Sequence, residues 1–174
     1  MSKIFGIAGW KNTGKTSLIV RLIGELTGRG VRVSTLKHAH HNFEPDVSGK
    51  DSYLHRQAGA SEVLVSGAQR WALISEVGEG EEARFPELLS KLAPSDLVLV
   101  EGFKTVEHPK IQVLRGNDPN QLAGFNAVCA YASDDAEWAK TVAGSARILE
   151  IHDTAEIADY ILANAVESST LFEK

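Results

Sequence analysis

A stretch near the amino end has the residue types and spacing of a phosphate-binding loop. It runs Gly9-Trp10-Lys11-Asn12-Thr13-Gly14-Lys15-Thr16 and matches G-x-x-x-x-G-K-[ST] at every fixed position. We expect Lys15 to neutralise the β- and γ-phosphates of a nucleoside triphosphate and the Thr16 hydroxyl to hold Mg²⁺. Trp10 is interpreted either as a packed cover or as a contact to a partner. The predicted nucleotide contacts are Gly9, Lys11, Asn12, Thr13, Gly14, Lys15, Thr16 and Ser17.

A metal-bound triphosphate also needs an acidic residue near the metal. The apolar run Leu97–Val100 is followed directly by Glu101, as at the carboxyl end of a buried strand. Asp96 precedes the run and belongs to the far end of that strand. We therefore predict that Glu101 is linked to Mg²⁺ and, with Lys15, forms the catalytic pair. Asp46 is either a second metal contact through water or a solvated turn residue.

A basic, histidine-rich block follows the second predicted strand. A zinc site is disfavoured, because adjacent His40 and His41 cannot easily both face one metal and the sole Cys129 is far away. Contact with phosphate or with an acidic partner is the preferred interpretation. The segment 38–50 is also where a switch sensing the γ-phosphate is expected, and it contains no glutamine to orient water, so hydrolysis should be slow. The predicted partner or substrate contacts are Lys37, His38, His40, His41 and Lys50.

These residues require a scaffold of alternating strands and helices. Hydrophobic periodicity predicts a mainly parallel sheet covered on both faces, with an added antiparallel hairpin at Ser61–Glu76. This is a three-layer α/β fold of the P-loop NTPase type. Predicted strands are Lys3–Ala8, Val31–Lys37, Ser61–Ser66, Arg70–Glu76, Leu97–Val100, Lys110–Leu114, Ala127–Tyr131 and Arg147–Ile151; predicted helices are Ser17–Arg29, Asp51–Ala58, Phe85–Leu92 and Thr154–Val166.

Length and composition narrow the classes further. With 174 residues, 43% hydrophobic and 24% charged, we expect one nucleotide-binding domain over residues 1–166 and a flexible tail over 167–174. A net charge of −5 argues against an extended nucleic-acid footprint. The amino end lacks the features of a signal peptide, and no apolar run approaches the roughly 20 residues of a membrane span. These features predict a cytoplasmic protein without nucleic-acid or membrane partners.

Several blocks together closely resemble the molybdopterin-guanine dinucleotide biosynthesis adapter family, MobB. The resemblance spans most of the chain to about Asp134 and is specific in its K-H-x-H-H, G-K-D-S and E-G-F-K motifs. It implies a GTP-binding, weakly GTP-hydrolysing, dimeric accessory protein that assists the guanylyltransferase MobA, with molybdopterin as a possible second ligand. The blocks are Gly9–Thr16, Lys37–His41, Gly49–Ser52, Ala58–Ala60, Arg70–Leu73 and Leu99–Lys104.

The resemblance leaves guanine recognition open. The sequence has no N-K-x-D motif, and the nearest equivalent is Ala132-Ser133-Asp134 after a predicted strand. Asp134 is either an acceptor for the guanine N1–H and exocyclic amine or a cap for the following segment. The polar stretch Arg115–Gly124 is expected to form a mobile loop near the base. Related P-loop proteins often carry a second lysine after the first loop glycine, where this chain has Trp10.

The leading hypothesis is thus a GTP-binding adapter with Mg²⁺ as its cofactor and slow GTP hydrolysis. An ATP-dependent kinase or ligase for a small metabolite is the alternative, and a nucleotide-regulated switch without useful turnover is a third. We also expect a homodimer, because the hairpin over Ser61–Glu76 offers Trp71, Leu73 and Ile74 beside an otherwise open strand edge.

Overall fold

A computed structural model describes residues 2–39, 43–78 and 81–171. The chain divides into two compact units, one of Met1–His38 with Leu88–Lys174 and one of Ala39–Glu87. The single-domain boundary drawn from the sequence stays a prediction. No helix within the described ranges is both long enough and apolar enough to span a membrane.

The larger unit is built on a mainly parallel sheet. Its strands lie in the order β2-β5-β1-β6-β7-β8, and each neighbouring pair is parallel. A final short strand, β9, pairs antiparallel with the start of β1. The strands of the protein are β1 (Lys3–Gly9), β2 (Val33–Lys37), β3 (Glu62–Ser66), β4 (Trp71–Ser75), β5 (Leu97–Glu101), β6 (Lys110–Leu114), β7 (Val128–Ser133), β8 (Arg147–Glu150) and β9 (Val166–Glu167).

The core explains why β1 lies at the centre of this sheet. Successive strand side chains point to opposite faces, yet Ile4, Phe5, Ile7 and Ala8 are all fully buried, so both faces of β1 are covered. On one face, Phe5 and Ile7 belong to a hydrophobic cluster with α1 and α5. The helices are α1 (Lys15–Gly28), α2 (Asp51–Gln57), α3 (Phe85–Ser90), α4 (Ala136–Ala143) and α5 (Thr154–Asn164).

The smaller unit contains the predicted antiparallel hairpin. β3 and β4 pair from Glu62 with Ser75 to Ser66 with Trp71, and the Gly67 N–H donates to the Arg70 carbonyl oxygen at 2.9 Å. The fold-class prediction is therefore confirmed, since a mainly parallel sheet with helices is accompanied by a separate two-stranded antiparallel sheet.

Four elements were not predicted from the sequence. They are α4, a 3₁₀ helix at Pro119–Leu122, and β9 with the 3₁₀ helix Ser168–Leu171 behind it. β9 begins at Val166, the last residue of the predicted helix, and continues into Glu167, the first residue of the predicted tail. The flexibility of that tail stays a prediction, and residues 172–174 lie outside the described ranges. At the start of α5 the Asp153 carboxylate accepts from the Glu156 N–H, while the Glu156 side chain pairs with Arg147.

Candidate nucleotide-binding site

The phosphate loop connects the carboxyl end of β1 to the first turn of α1. Gly9 has φ +153°, and a Cβ there would lie 2.8 Å from both the Thr13 hydroxyl and the Val113 carbonyl oxygen. Asn12 and Gly14 also have positive φ values, of 64° and 93°. The N–H groups of residues 14–16 make no hydrogen bond with the described residues. The loop thus presents backbone donors at a helix amino end, which suits an anion.

Lys15, Thr16 and Glu101 meet at the carboxyl edge of the sheet. The Thr16 hydroxyl donates to Glu101 Oε1 at 3.2 Å, and Lys37 Nζ lies 3.2 Å from the same oxygen. The Lys15 ammonium donates to the Trp10 carbonyl oxygen. Partial burial holds the pKa of Lys15 below its ordinary value; Glu101 opposes this effect, while the nearby Lys104 and Lys37 ammonium groups add to it. The sequence motif and the acid after β5 are therefore brought together.

The two acids that flank β5 have different surroundings. Asp96 precedes the strand, accepts from the Arg32 N–H at 2.8 Å and pairs with its guanidinium at 3.2 Å. The Glu101 side chain is only 14% exposed and contacts Thr16 and Lys37. Of these two acids, Glu101 alone contacts the phosphate-loop motif.

These oxygens fit a Mg²⁺ ion that is shared with phosphate. Mg²⁺ prefers oxygen ligands and usually takes only one or two protein ligands beside phosphates and water. The Thr16 hydroxyl and the Glu101 carboxylate form such a pair, and their 3.2 Å separation lets both reach one ion. The residues present therefore suit the implied metal.

Trp10 forms one wall of a cavity beside the loop. Its indole N–H donates to the Gln121 carbonyl oxygen at 3.0 Å, and its ring stands edge-on to Phe125 with the centroids 6.0 Å apart. The cavity has a volume of about 600 Å³. Trp10 is thus packed and yet 43% exposed. The lining residues are Trp10, Lys11, Asn12, Thr13, Arg115, Asp118, Asn120 and Gln121.

Asp134 lies beyond the carboxyl end of β7. The role of helix cap that the sequence suggested for Asp134 is taken by its neighbour Asp135. The cap of α4 is Asp135, whose carboxylate accepts from the Trp138 N–H at 2.9 Å. Asp134 instead pairs with Arg115 at 3.1 Å. A Cβ on Gly14 would come within 3.9 Å of the Arg115 guanidinium, so Arg115 extends from the phosphate loop to Asp134. The capping interpretation of Asp134 is wrong, and its contact with guanine stays a prediction.

The remaining predicted residues are divided between the two units. His38 follows β2, and its ring centroid lies 4.9 Å from that of Phe103. In the smaller unit Asp46 accepts from the Ser52 hydroxyl at 2.9 Å and lies 3.7 Å from Arg56 Nε, while Lys50 precedes α2. These contacts give Asp46 a structural role, and its metal contact stays a prediction. His40 and His41 lie outside the described residues.

Sequence reasoning missed the turn that follows Glu101. We call Gly102–Val106 the β5 turn. Gly102 and Phe103 have φ values of 90° and 46°, an uncommon conformation for phenylalanine. Fully buried Lys110 donates to the carbonyl oxygens of Phe103, Lys104 and Val106 at 3.3, 3.2 and 2.6 Å. Lys110 is the first residue of a predicted strand, and its sequence position alone does not indicate that its ammonium group is buried.

Comparison with known proteins places this geometry in a family. The sequence model of MobB, described as molybdopterin guanine dinucleotide synthesis protein B, matches residues 4–134. The chain is 39% identical over 167 residues to the molybdopterin-guanine dinucleotide biosynthesis adapter protein of Escherichia coli (strain K12), covering 93% of each chain. It is 36% identical over 160 residues to the protein of that name from Haemophilus influenzae, covering 91% of this chain and 86% of the relative.

A solved structure gives the same result. The crystal structure of Bacillus subtilis MobB superposes with a TM-score of 0.75 at 27% identity, covering 95% of this chain and 99% of that chain. Sequence and fold agree, and the protein belongs to the MobB family.

Proposed function

We propose that this protein is a GTP-binding adapter of molybdopterin-guanine dinucleotide biosynthesis, with Mg²⁺ as its cofactor and slow GTP hydrolysis as its own activity. The observation that carries the proposal is the meeting of Lys15, Thr16 and Glu101 beside the phosphate loop. The biosynthetic role is supported by the relatives from E. coli and H. influenzae, which are named as adapter proteins of this synthesis.

Each residue of the cluster has a defined task in this proposal. Loop N–H groups bind the phosphates, and Lys15 leaves the Trp10 carbonyl oxygen to balance the charge of the β- and γ-phosphates. Thr16 and Glu101 hold Mg²⁺, which when bound neutralises charge on the phosphate oxygens. Lys37 balances the carboxylate of Glu101. Hydrolysis is slow because segment 38–50 carries no glutamine to orient water.

The same groups are poorly suited to making the dinucleotide. Transfer of GMP breaks the bond between the α- and β-phosphates, whereas Lys15 and the metal favour charge on the β- and γ-phosphates and hence cleavage at the γ-phosphate. We therefore assign the transfer to the guanylyltransferase and an assisting role to this protein. Individual contacts to the transferase or to the anionic molybdopterin are proposed for Lys37, His38, His40, His41 and Lys50.

Guanine selectivity is assigned to Asp134. A carboxylate accepts hydrogen bonds from both the N1–H and the exocyclic amine of guanine, and adenine offers no matching pair of donors. Its position after β7, linked through Arg115 to the phosphate loop, supports this assignment.

A homodimer is proposed from the exposed apolar side chains of the hairpin. Leu64 and Trp71 are 62% and 66% exposed, and Leu73 is 39% exposed. A two-stranded sheet is marginal by itself, and a second copy paired across a two-fold axis would bury this surface. Light scattering at micromolar concentration should give the mass of a dimer. A monomer mass would reject the proposal.

Reconstitution tests the adapter role. Dinucleotide formation is measured with guanylyltransferase, molybdopterin, MgGTP and either wild-type protein, the Lys15→Ala variant or no addition. We expect this protein alone to make no dinucleotide, wild type to raise the yield with the transferase, and the variant to raise it less. Lack of stimulation by wild type would reject the role, while product without the transferase would indicate an enzyme instead.

Direct titration separates the nucleotide hypotheses. Isothermal calorimetry with MgGTP and MgATP, each with and without molybdopterin, should show tighter binding of GTP. Preference for ATP would favour the kinase or ligase alternative and contradict the assignment of GTP.

A further inference from the structure

The β5 turn carries a lysine whose ammonium group lies against the phosphate loop. Lys104 Nζ is 4.0 Å from the centroid of the Trp10 ring and 5.3 Å from that of Phe125. Lys15 donates to the carbonyl oxygen of the same tryptophan. Two ammonium groups therefore contact the second residue of the loop, one at its backbone and one at its ring.

The charge of Lys104 is not used in an ion pair within ranges 2–39, 43–78 and 81–171. Lys37 faces the carboxylate of Glu101, but no described carboxylate lies within 4 Å of the Lys104 ammonium. The Glu101 carboxylate and the Lys37 and Lys104 ammonium groups all act on Lys15, so positive charge exceeds negative charge around the Lys15 ammonium. The excess positive charge is what an anionic metal–triphosphate complex would require.

The backbone that presents Lys104 is held in a costly conformation. Phe103 has a positive φ of 46°, which is strained for an aromatic residue, and Gly102 has φ +90°, where an added Cβ would lie only 3.1 Å from His38 Cβ. The Lys110 ammonium donates to the Phe103 and Lys104 carbonyl oxygens, which belong to the two peptide groups that flank the Lys104 Cα. Such strain persists only when surrounding contacts maintain it. The direction of Lys104 is therefore fixed by the fold.

We infer that Lys104 is a second phosphate-binding residue. When a nucleoside triphosphate binds to the loop, the Lys104 ammonium moves from the Trp10 ring to the terminal phosphate. The inference rests on the proposed function, since it requires a triphosphate at Lys15. Lys104 follows Glu101 by three residues, and both residues act on the charge of the Lys15 ammonium, which would neutralise the β- and γ-phosphates.

The exchange of partners is energetically reasonable. A cation over an aromatic ring at an exposed site makes only a weak contact. A charge-assisted hydrogen bond to phosphate is roughly twice as strong as a neutral one, and the Trp10 ring offers no competing negative charge. The contact with Trp10 thus keeps the Lys104 ammonium near the loop before a phosphate binds. Related P-loop proteins often have a lysine directly after the first loop glycine, where this chain has Trp10. Lys104 would supply the second positive charge from elsewhere in the same chain.

The test compares nucleotides that differ only in the terminal phosphate. Lys104→Met keeps an unbranched apolar stem for packing on Trp10 and Phe125 but removes the charge. Calorimetry should show MgGTP affinity reduced ten-fold or more and MgGDP affinity changed less than two-fold. Lys104→Arg should restore part of the preference for GTP. Lys3→Met, at an exposed position at the amino end of β1, is the matched control.

The outcomes separate this inference from the proposed function. Equal losses for GTP and GDP in Lys104→Met, or no loss for either, would overturn the role of Lys104 while leaving GTP binding by wild type intact. Failure of wild type to bind GTP would overturn both. Thermal unfolding of each variant establishes that a loss of affinity is not a loss of folded protein.

Discussion

The phosphate loop and the β5 turn follow neighbouring strands of one sheet but present opposite backbone groups. The loop presents N–H groups at the amino end of α1, and residues 15–18 of that helix carry no acid. The β5 turn presents carbonyl oxygens, and three of them accept from the buried ammonium of Lys110. One segment is arranged for an anion from outside, and the other is completed by a cation from the chain itself.

This difference predicts where changes will act. In the loop, the proposed partner of the Lys15 charge is a bound ligand. Removal of Lys15 should therefore reduce binding and leave folding intact. In the β5 turn, the cation that the carbonyl oxygens contact is Lys110, which is part of the core. Removal of Lys110 should therefore reduce stability first. The following experiments test that division in order of decreasing effect.

Acid should destabilise the region of the β5 turn through His108. This residue is 1% exposed, and burial lowers its pKa to about 3, with Lys110 adding to the effect. The unfolded chain takes up this proton near pH 6.5 and so binds more protons than the folded protein between pH 6.5 and 3. The free energy of unfolding that depends on neutral His108 is fully present above pH 6.5. It falls by up to about 4 kcal/mol toward pH 3, at roughly 1.4 kcal/mol per pKa unit.

Urea unfolding of wild type and His108→Asn across this pH range measures the effect. The variant should lose less stability than wild type as the pH falls. His152→Asn replaces an exposed histidine and is the matched control. An identical pH dependence in wild type and His108→Asn would contradict the assignment to His108.

Removal of the turn's own cation is the next largest change. Lys110→Met removes the ammonium group that donates hydrogen bonds to three carbonyl oxygens. It should lower the free energy of unfolding by about 3 kcal/mol, which is the scale of a buried polar group left unpaired. Urea unfolding with Lys3→Met as the exposed control checks this. Unchanged stability would show that other donors can replace the ammonium group.

Removal of the loop's cation should have the opposite profile. Lys15→Ala should weaken MgGTP binding ten-fold or more, because loop N–H groups alone do not balance the phosphate charge. Its free energy of unfolding should stay within about 0.5 kcal/mol of wild type, as is usual away from buried sites. Calorimetry and urea unfolding, with exposed Lys91→Ala as control, measure the two quantities. Retained affinity would reject the site.

The smallest effect is expected at the predicted base contact. Asp134→Asn should reduce the preference for GTP over ATP by a few-fold, because an amide cannot accept from both guanine donors as a carboxylate can. The adjacent Asp135→Asn is the matched control, since asparagine also caps helices and should preserve both stability and preference. An unchanged GTP-to-ATP preference in Asp134→Asn would remove it from base recognition.

Local sequence patterns predicted the parts of the site that depend on short-range geometry. The loop from Gly9 to Thr16 carries its own turn residues, and an apolar run ending at Glu101 identifies the carboxyl end of a buried strand. The contact between Thr16 and Glu101 follows, because adjacent parallel strands end at one edge. The antiparallel hairpin was likewise predicted from two strand-like runs and a short turn.

Contacts between distant segments were not accessible in this way. β9 is short and depends on pairing with Lys3 and Ile4, and no local pattern marks it. The cap of α4 is Asp135 rather than Asp134, a one-residue difference that propensity does not resolve. Lys110 looks like an ordinary polar start of a strand until the β5 turn is folded against it. Its role depends on three carbonyl oxygens that only tertiary structure brings together.

The central position of β1 has a consequence for biosynthesis of the chain. β1 and the phosphate loop are translated before all three of the strands that pair with β1, which are residues 97–101, 110–113 and 166–167. A nascent chain that ends before residue 97 contains the whole loop but none of the strands that fix its origin. Such late, long-range pairing slows folding and leaves apolar segments exposed meanwhile. The site is therefore assembled only after these partner strands have been translated, although its defining motif is translated about eighty residues before the first of them.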